Sequence, residues 1–304
     1  HGNGEDGLLL LQVHGRALST VNSREVRAGG GPSAGVSVAY RGDLRAINGW
    51  WRGVFGGAQP CGQQRSSPAM LRPAPRPPTM AVLHPESPHM TTTLKIDFVS
   101  DVSCPWCIIG LKALEQAAER LQGEVALDLH FQPFELNPQM GPEGQDIGEH
   151  LQEKYGATPE QSQKNRDAIA ARGAELGFTF RMDKRSRIYN TFDAHRLLHW
   201  AQEHGLQRAL KHALFTAYFT DGQDPSSHEV LVRVAGEVGL NPDAARELLA
   251  SDRYATEVRE REQFYQQQGI HSVPAIIIND RHLISGGQPV EVFVQALRQI
   301  AAQG

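Results

Sequence analysis

Between residues 94 and 303 the apolar positions change period several times, and each change marks an element. Residues 94–99 alternate apolar and charged side chains, the period of a strand. Leu111, Leu114, Ala117, Ala118 and Leu121 then recur at helical spacing. Residues 125–131 alternate again, so the helix sits between two strands as a parallel, right-handed βαβ unit. A long helical stretch follows, with helices over 146–155, 158–176, 192–204, 206–220, 227–238, 242–250 and 256–268. Thr158 and Pro159 have the chemistry of a helix start, and Gly177, Gly205, Gly239 and Gly269 stand where helices stop. The strand period returns over 273–278, turns at Asn279-Asp280 and comes back antiparallel over 281–285. After the break at Gly286-Gly287-Gln288-Pro289, Val290, Val294, Leu297 and Ala301 form one stripe of a last helix, 290–301.

The order is βαβ, a helical insert, then ββα. That predicts an α/β, thioredoxin-like fold with a helical domain inserted in its middle. Residues 91–138 and 270–304 would form the thioredoxin-like domain and 139–269 the insert. Residues 1–90 have a different composition, rich in Gly, Pro and Arg, with only short apolar pieces such as 36–40. They read as a disordered or non-native N-terminal extension, because such a composition buries too little surface to offset chain entropy. The competing reading is a small Arg-rich module around Trp50 and Trp51. The chain does not begin with Met, and Met80 or Met90 would serve as a natural start.

Charge sharpens this division. Residues 1–90 hold nine Arg and five acidic residues, net +4, which leaves 21 basic and 29 acidic residues, net −8, for the body. An acidic body argues against nucleic acid as a partner. No run approaches the length of a membrane span. Residues 8–11 are too short for a secretory signal core, and Glu5 and Asp6 stand where such a signal carries positive charge, so a cytoplasmic location is expected.

The candidate chemistry lies in Cys104-Pro105-Trp106-Cys107, where the first strand hands over to the first helix. Unpaired N–H groups and the helix dipole favour an anion there, and a thiolate is the form that attacks disulfides. Cys107, one turn on, can close a ring with Cys104 and release a bound substrate. A zinc site needs four ligands, and the only other cysteine, Cys61, lies in the Gly/Pro/Arg-rich segment. No metal is expected. A purely structural disulfide in so short a loop constrains little of the unfolded chain.

Residues 94–303 resemble the DsbA-like branch of the thioredoxin superfamily, in particular its FrnE-type proteins. The matching pieces are Ser100-Asp101-Val102-Ser103-Cys104-Pro105-Trp106-Cys107, Phe134-Glu135-Leu136-Asn137-Pro138, Asn190-Thr191-Phe192-Asp193-Ala194-His195-Arg196-Leu197, Gly269-Ile270-His271-Ser272-Val273-Pro274 and Ile284-Ser285-Gly286-Gly287-Gln288-Pro289. The resemblance implies a cis Pro274 facing the cysteine pair, with the Val273 backbone free to meet an extended substrate. It implies Cys104 as attacking thiolate and Cys107 as resolving thiol, with Pro105 and Trp106 shaping the sulfur environment. It places Asn190 and His195 near the cleft that holds a small substrate or glutathione in related isomerases and transferases. The ordinary alternatives are a helix cap for Asn190 and a satisfied helix residue for His195. Asp101 either modulates the charge of the cysteine pair or bonds the turn.

The activity these features imply is thiol–disulfide exchange on protein clients, with no cofactor beyond the redox-active pair and with glutathione or a thioredoxin-type protein as reductant. The alternatives are a glutathione-dependent transferase or 2-hydroxychromene-2-carboxylate isomerase-like enzyme on the same fold, and a non-catalytic thiol-based binding module. Such transferases and isomerases generally present serine where Cys104 stands; this chain keeps both thiols.

Overall fold

The structure, a computed structural model, describes residues 38–40 and 91–303. In chain order its elements are β1 (Val38–Tyr40), β2 (Thr92–Ser100), α1 (Pro105–Arg120), β3 (Val125–Pro133), β4 (Gln145–Asp146), α2 (Ile147–Tyr155), α3 (Pro159–Glu175), β5 (Arg187–Ile188), α4 (Phe192–Glu203), α5 (Gln207–Phe219), α6 (His228–Glu237), α7 (Pro242–Leu249), α8 (Ala255–Gln267), β6 (Ala275–Ile278), β7 (His282–Ser285) and α9 (Val290–Ala301). The expectations for residues 1–90, Cys61 and Trp50-Trp51 included, lie outside the described residues, except that Val38–Tyr40 pairs antiparallel with β7.

The central sheet runs β1-β7-β6-β2-β3. β2 is parallel to β3, with Phe98 opposite Phe131, and antiparallel to β6, with Phe98 opposite Ile276. The fold is thus α/β and thioredoxin-like, with the helices α2–α8 between its two halves. The alternation along β2 explains its two faces. Leu94, Ile96 and Phe98 join the core with Leu111 and Leu114 of α1 and Phe293 and Leu297 of α9. Val99 points the other way, into a cluster with Tyr265 of α8 and Ala275. Asn279 and Asp280 both take positive φ, 50° and 55°, the conformation of a tight hairpin whose twist matches the strands. The Asn279 side chain ties that turn to β2 by accepting from the Lys95 N–H at 3.0 Å.

The helices of the insert build a core of their own from Leu197 and Trp200 of α4, Leu210 and Leu214 of α5, Leu231 of α6 and Leu248 of α7. α5 serves both cores. Its Leu210 and Leu214 face the insert, while Phe215, Tyr218 and Phe219 join the core beneath the sheet. It also seals a sheet edge. β3 has a strand on one side only, and Gln207 pairs with its exposed side by accepting from the Phe131 N–H at 2.9 Å and donating to the Phe131 carbonyl at 3.0 Å.

Two features differ from the sequence expectation. β6 begins at Ala275, not at 273, because the chain bends at Val273-Pro274 before it joins the sheet. The two-residue ribbon β4–β5 was not anticipated, since two residues carry no period. Among the described residues no helix is long and apolar enough to cross a membrane.

Phe293 is fully buried between α9 and the sheet, whereas Phe264 on α8 is exposed. Phe293→Ala should cost about 3–5 kcal/mol in urea unfolding, the transfer and cavity terms together. Phe264→Ala should stay within about 0.5 kcal/mol of wild type. Equal effects would show that the core is not where this packing puts it.

Candidate active site

The end of β2 builds the site. After Ser100 the chain turns: the Ser103 N–H donates to Asp101 Oδ1 at 3.0 Å, and the Cys104 N–H to the Asp101 carbonyl at 3.2 Å. That turn delivers Cys104 to the N-cap of α1 with extended backbone, φ −92° and ψ 114°. Pro105 takes the first helical position, where a missing N–H costs nothing. Both thiols are free, and Cys104 is 4% exposed while Cys107 is 0% exposed. Burial pushes the Cys107 thiol well above its ordinary range, and the bond and charge of Cys104 push it further; the positive charge of Lys211 acts the other way. The second thiol therefore resists ionisation where it stands.

Opposite Cys104, the Val273–Pro274 peptide is cis. The Cys104 Sγ lies 3.8 Å from the Val273 carbonyl, within reach of a weak thiol hydrogen bond. The Gly286 N–H donates to the Pro274 carbonyl at 2.8 Å and holds the proline loop against the β7–α9 turn. α1 comes close to the same loop at Gly110, where a Cβ would sit 3.1 Å from Pro274 Cγ, so a side chain there would push loop and helix apart. Trp106, 39% exposed, and half-buried Val273 leave an apolar rim around the sulfur.

A thiol pair at a strand-to-helix junction, closed by a cis proline, is the geometry on which the comparisons with known proteins bear. The model of the DSBA-like thioredoxin domain matches residues 95–298. The chain belongs to the DSBA-like thioredoxin domain family. A probable DsbA oxidoreductase from Streptomyces coelicolor is 35% identical, covers 69% of this chain and 90% of its own, and superposes with a TM-score of 0.64. The Bacillus subtilis protein YwbO is 26% identical over 206 residues, 67% of this chain and 96% of its own. A 2-hydroxychromene-2-carboxylate isomerase shares the fold at 14% identity, with a TM-score of 0.51 over 69% of this chain and 97% of its own.

In this DSBA-like chain the remaining candidate residues form the framework under the thiols. Asp101 is buried and accepts from two backbone N–H groups, Ser103 and, at 2.7 Å, Leu136. Burial alone would raise its carboxyl, but His195 and the two N–H donors outweigh that and hold it below its ordinary range. His195 is buried too; its Nε2 lies 3.1 Å from the Phe134 carbonyl and 3.8 Å from Asp101. Asn190 accepts from the Phe192 N–H at 2.8 Å, capping the first turn of α4, and donates to Glu135 at 3.1 Å. Arg259 of α8 completes this network by bonding Glu135 and Glu262.

Sequence reasoning missed two lysines. Lys154 at the end of α2 donates to the Leu136 carbonyl at 2.9 Å and to Asn137 at 2.6 Å, and so lines an open groove of about 520 Å³ with His150 and the segment after β3. Burial raises the hydroxyl of the next residue, Tyr155, and the charge of Cys104 raises it further. Lys211 is fully buried on α5. Neither lysine belongs to a recognisable motif, and each looks like an ordinary helix position.

Two outcomes follow from this geometry. Iodoacetamide should label Cys104 of the reduced protein well before Cys107; equal rates, or Cys107 first, would reverse the assignment. Asp101→Asn should cost about 2 kcal/mol at neutral pH, because a charged acceptor of two N–H bonds is lost. Since the native carboxyl is depressed, its contribution is present above the ordinary 3.8 and is lost as pH falls through the native value. The gap between wild type and variant should therefore close in acid, and a gap independent of pH would remove the charge from the explanation.

Proposed function

We propose that the protein is a thiol–disulfide oxidoreductase of the FrnE type, acting on protein disulfides through Cys104 and Cys107. The observation that carries this reading is the pairing of Cys104, at the N-terminus of α1 and 3.8 Å from the Val273 carbonyl, with a second free thiol one turn behind it. In the reductive direction the Cys104 thiolate attacks a client disulfide. A Cys104–client bond forms, the client S–S bond breaks, and one client sulfur leaves as thiolate. Cys107, as thiolate, then attacks the Cys104 Sγ. The Cys104–Cys107 disulfide forms, the mixed disulfide breaks, and the second client thiolate departs. The protein has been oxidised by two electrons and the client reduced by two.

Clients would meet the site along the apolar rim of Trp106 and Val273, and the groove beside Lys154 has the size of small-ligand pockets. That size supports glutathione as the reductant that restores the dithiol, with a thioredoxin-type protein as the other candidate. We assign the activity to the cytoplasm, where such reductants keep a dithiol ready.

Wild-type protein should accelerate the reduction of insulin by dithiothreitol. Cys104→Ser should abolish that acceleration, and Cys107→Ser should accumulate mixed disulfides that Cys104 alone cannot resolve. No acceleration by wild type would reject the exchange reading in favour of a thiol-based binding module.

A further inference from the structure

Where β3, α4, α5 and α8 meet, the protein forms a cavity of about 30 Å³, lined among others by Gln132, His199, Lys211 and Arg261. A cavity admits one water once it offers roughly 10–15 Å³, so this one takes a single water or a monatomic ion. Its fixed charges are of one sign. Lys211 and Arg261 are cations, and no carboxylate stands among the lining residues. Lys211 is fully buried, and its Nζ bonds to no protein group. A buried ammonium normally finds acceptors, because an unpaired one is expensive. The rings of Phe131 and Phe215, 5.8 and 5.1 Å from Nζ, contribute only their π faces. Gln207 is spent on the backbone of Phe131. The carboxylates behind the lining are engaged as well: Asp97 with Gln132 and Lys95, Asp101 with two backbone N–H groups, Glu203 with the Tyr254 hydroxyl. A water in the cavity gives Lys211 an acceptor but leaves two like charges facing one space. An anion supplies the acceptor and balances the charge.

We propose that this cavity is a binding site for one small monovalent anion of halide size, with Lys211 as its buried ligand and Arg261 as the charge that draws it in from solvent. Arg261 and Gln202 are exposed and mark the open side of the cavity, and buried Lys211 stands at its closed end. Burial draws Lys211 down to about 8, so it is still a cation at neutral pH. Burial also holds His199 below its ordinary range, so its imidazole is neutral there and has one N–H to donate. The ion meets β3 at Gln132, α4 at His199, α5 at Lys211 and α8 at Arg261. It therefore braces three helices of the insert against the edge strand of the sheet. Neither Cys104 nor Cys107 lines the cavity, so the inference stands apart from the exchange reading above.

The test uses the full chain at neutral pH, with sodium bromide exchanged for sodium gluconate at constant ionic strength. Gluconate is too large for the cavity. An ion that binds the native state alone stabilises it, so the thermal midpoint of the wild type should rise with bromide along a saturating one-site curve. Lys211→Met should abolish the saturating part. That change removes an unpaired buried charge at similar volume, which is often neutral or stabilising, so the variant should fold. Arg261→Gln should keep the curve but need about tenfold more bromide to half-saturate it, the effect of one partly screened charge. Crystals of the wild type grown in bromide should show an anomalous peak in the cavity beside Lys211 Nζ. A wild type without the saturating curve would overturn the proposal. So would the same curve in both variants, which would mean an adventitious ion elsewhere, and so would a crystal with a water in the cavity and no anomalous peak. If Lys211→Met does not fold, the Arg261→Gln curve and the anomalous peak decide.

Discussion

One buried carboxylate holds the site together. Asp101 receives an N–H from Ser103, in its own turn, and another from Leu136, in the segment that leaves β3. It also stands beside His195 of α4, which is itself bonded to the Phe134 carbonyl. Three parts of the chain, 2, 35 and 94 residues from Asp101, therefore converge on a single charge. The turn before Cys104 takes its shape from that convergence, and the turn sets where the sulfur stands relative to the cis Pro274. Burying a carboxylate is costly unless its lone pairs are filled. Here they are filled by backbone groups that have no other partner to serve, so the charge fixes geometry that apolar packing alone would leave loose.

The insert is part of the same machine. α5 contributes Phe215 and Phe219 to the core under the sheet and caps the β3 edge through Gln207. It reaches α1, the helix that carries the thiols, through Glu115. There His212 and Arg208 each approach Oε1 at 2.7 Å. Burial would raise the Glu115 carboxyl, but His212 and Arg208 outweigh it and hold it below its ordinary range. The helical segment thus clamps α1 from the side. A thioredoxin-like half without α5 would expose the β3 edge.

How much of this was legible beforehand follows from what each feature writes into the chain. Elements with a period were readable: the helix expected at 290–301 is Val290–Ala301, and the strand expected at 94–99 is Thr92–Ser100. The thiols were readable because two cysteines at that spacing on a strand-to-helix junction are rare by accident. The cis bond was readable only through the family resemblance, since nothing in Ser272-Val273-Pro274 announces it locally. The framework was not readable. Asp101 and His195 are 94 positions apart, and their contact exists only once the insert has folded back over the sheet. Lys211 sits on a helix among Leu210, Leu214 and Phe215, where a lysine reads as the solvated side of an amphipathic pattern. Its burial is a tertiary outcome, produced because α5 has protein on two sides.

The two thiols are unequal in a way that suits sequential attack. Burial holds Cys107 neutral, and so do the hydrogen bond and the negative charge of Cys104 beside it. The last two causes depend on the state of Cys104. Once Cys104 is bound in a mixed disulfide, it carries no charge and no longer accepts the Cys107 S–H as a thiolate does, and both causes fade. Burial remains, now opposed by Lys211. The acidity of Cys107 therefore rises when there is a disulfide for it to attack, and it is held back when there is none. Two thiolates never need to coexist side by side, which a dry interior would resist strongly. The order of events is set by charge within the pair.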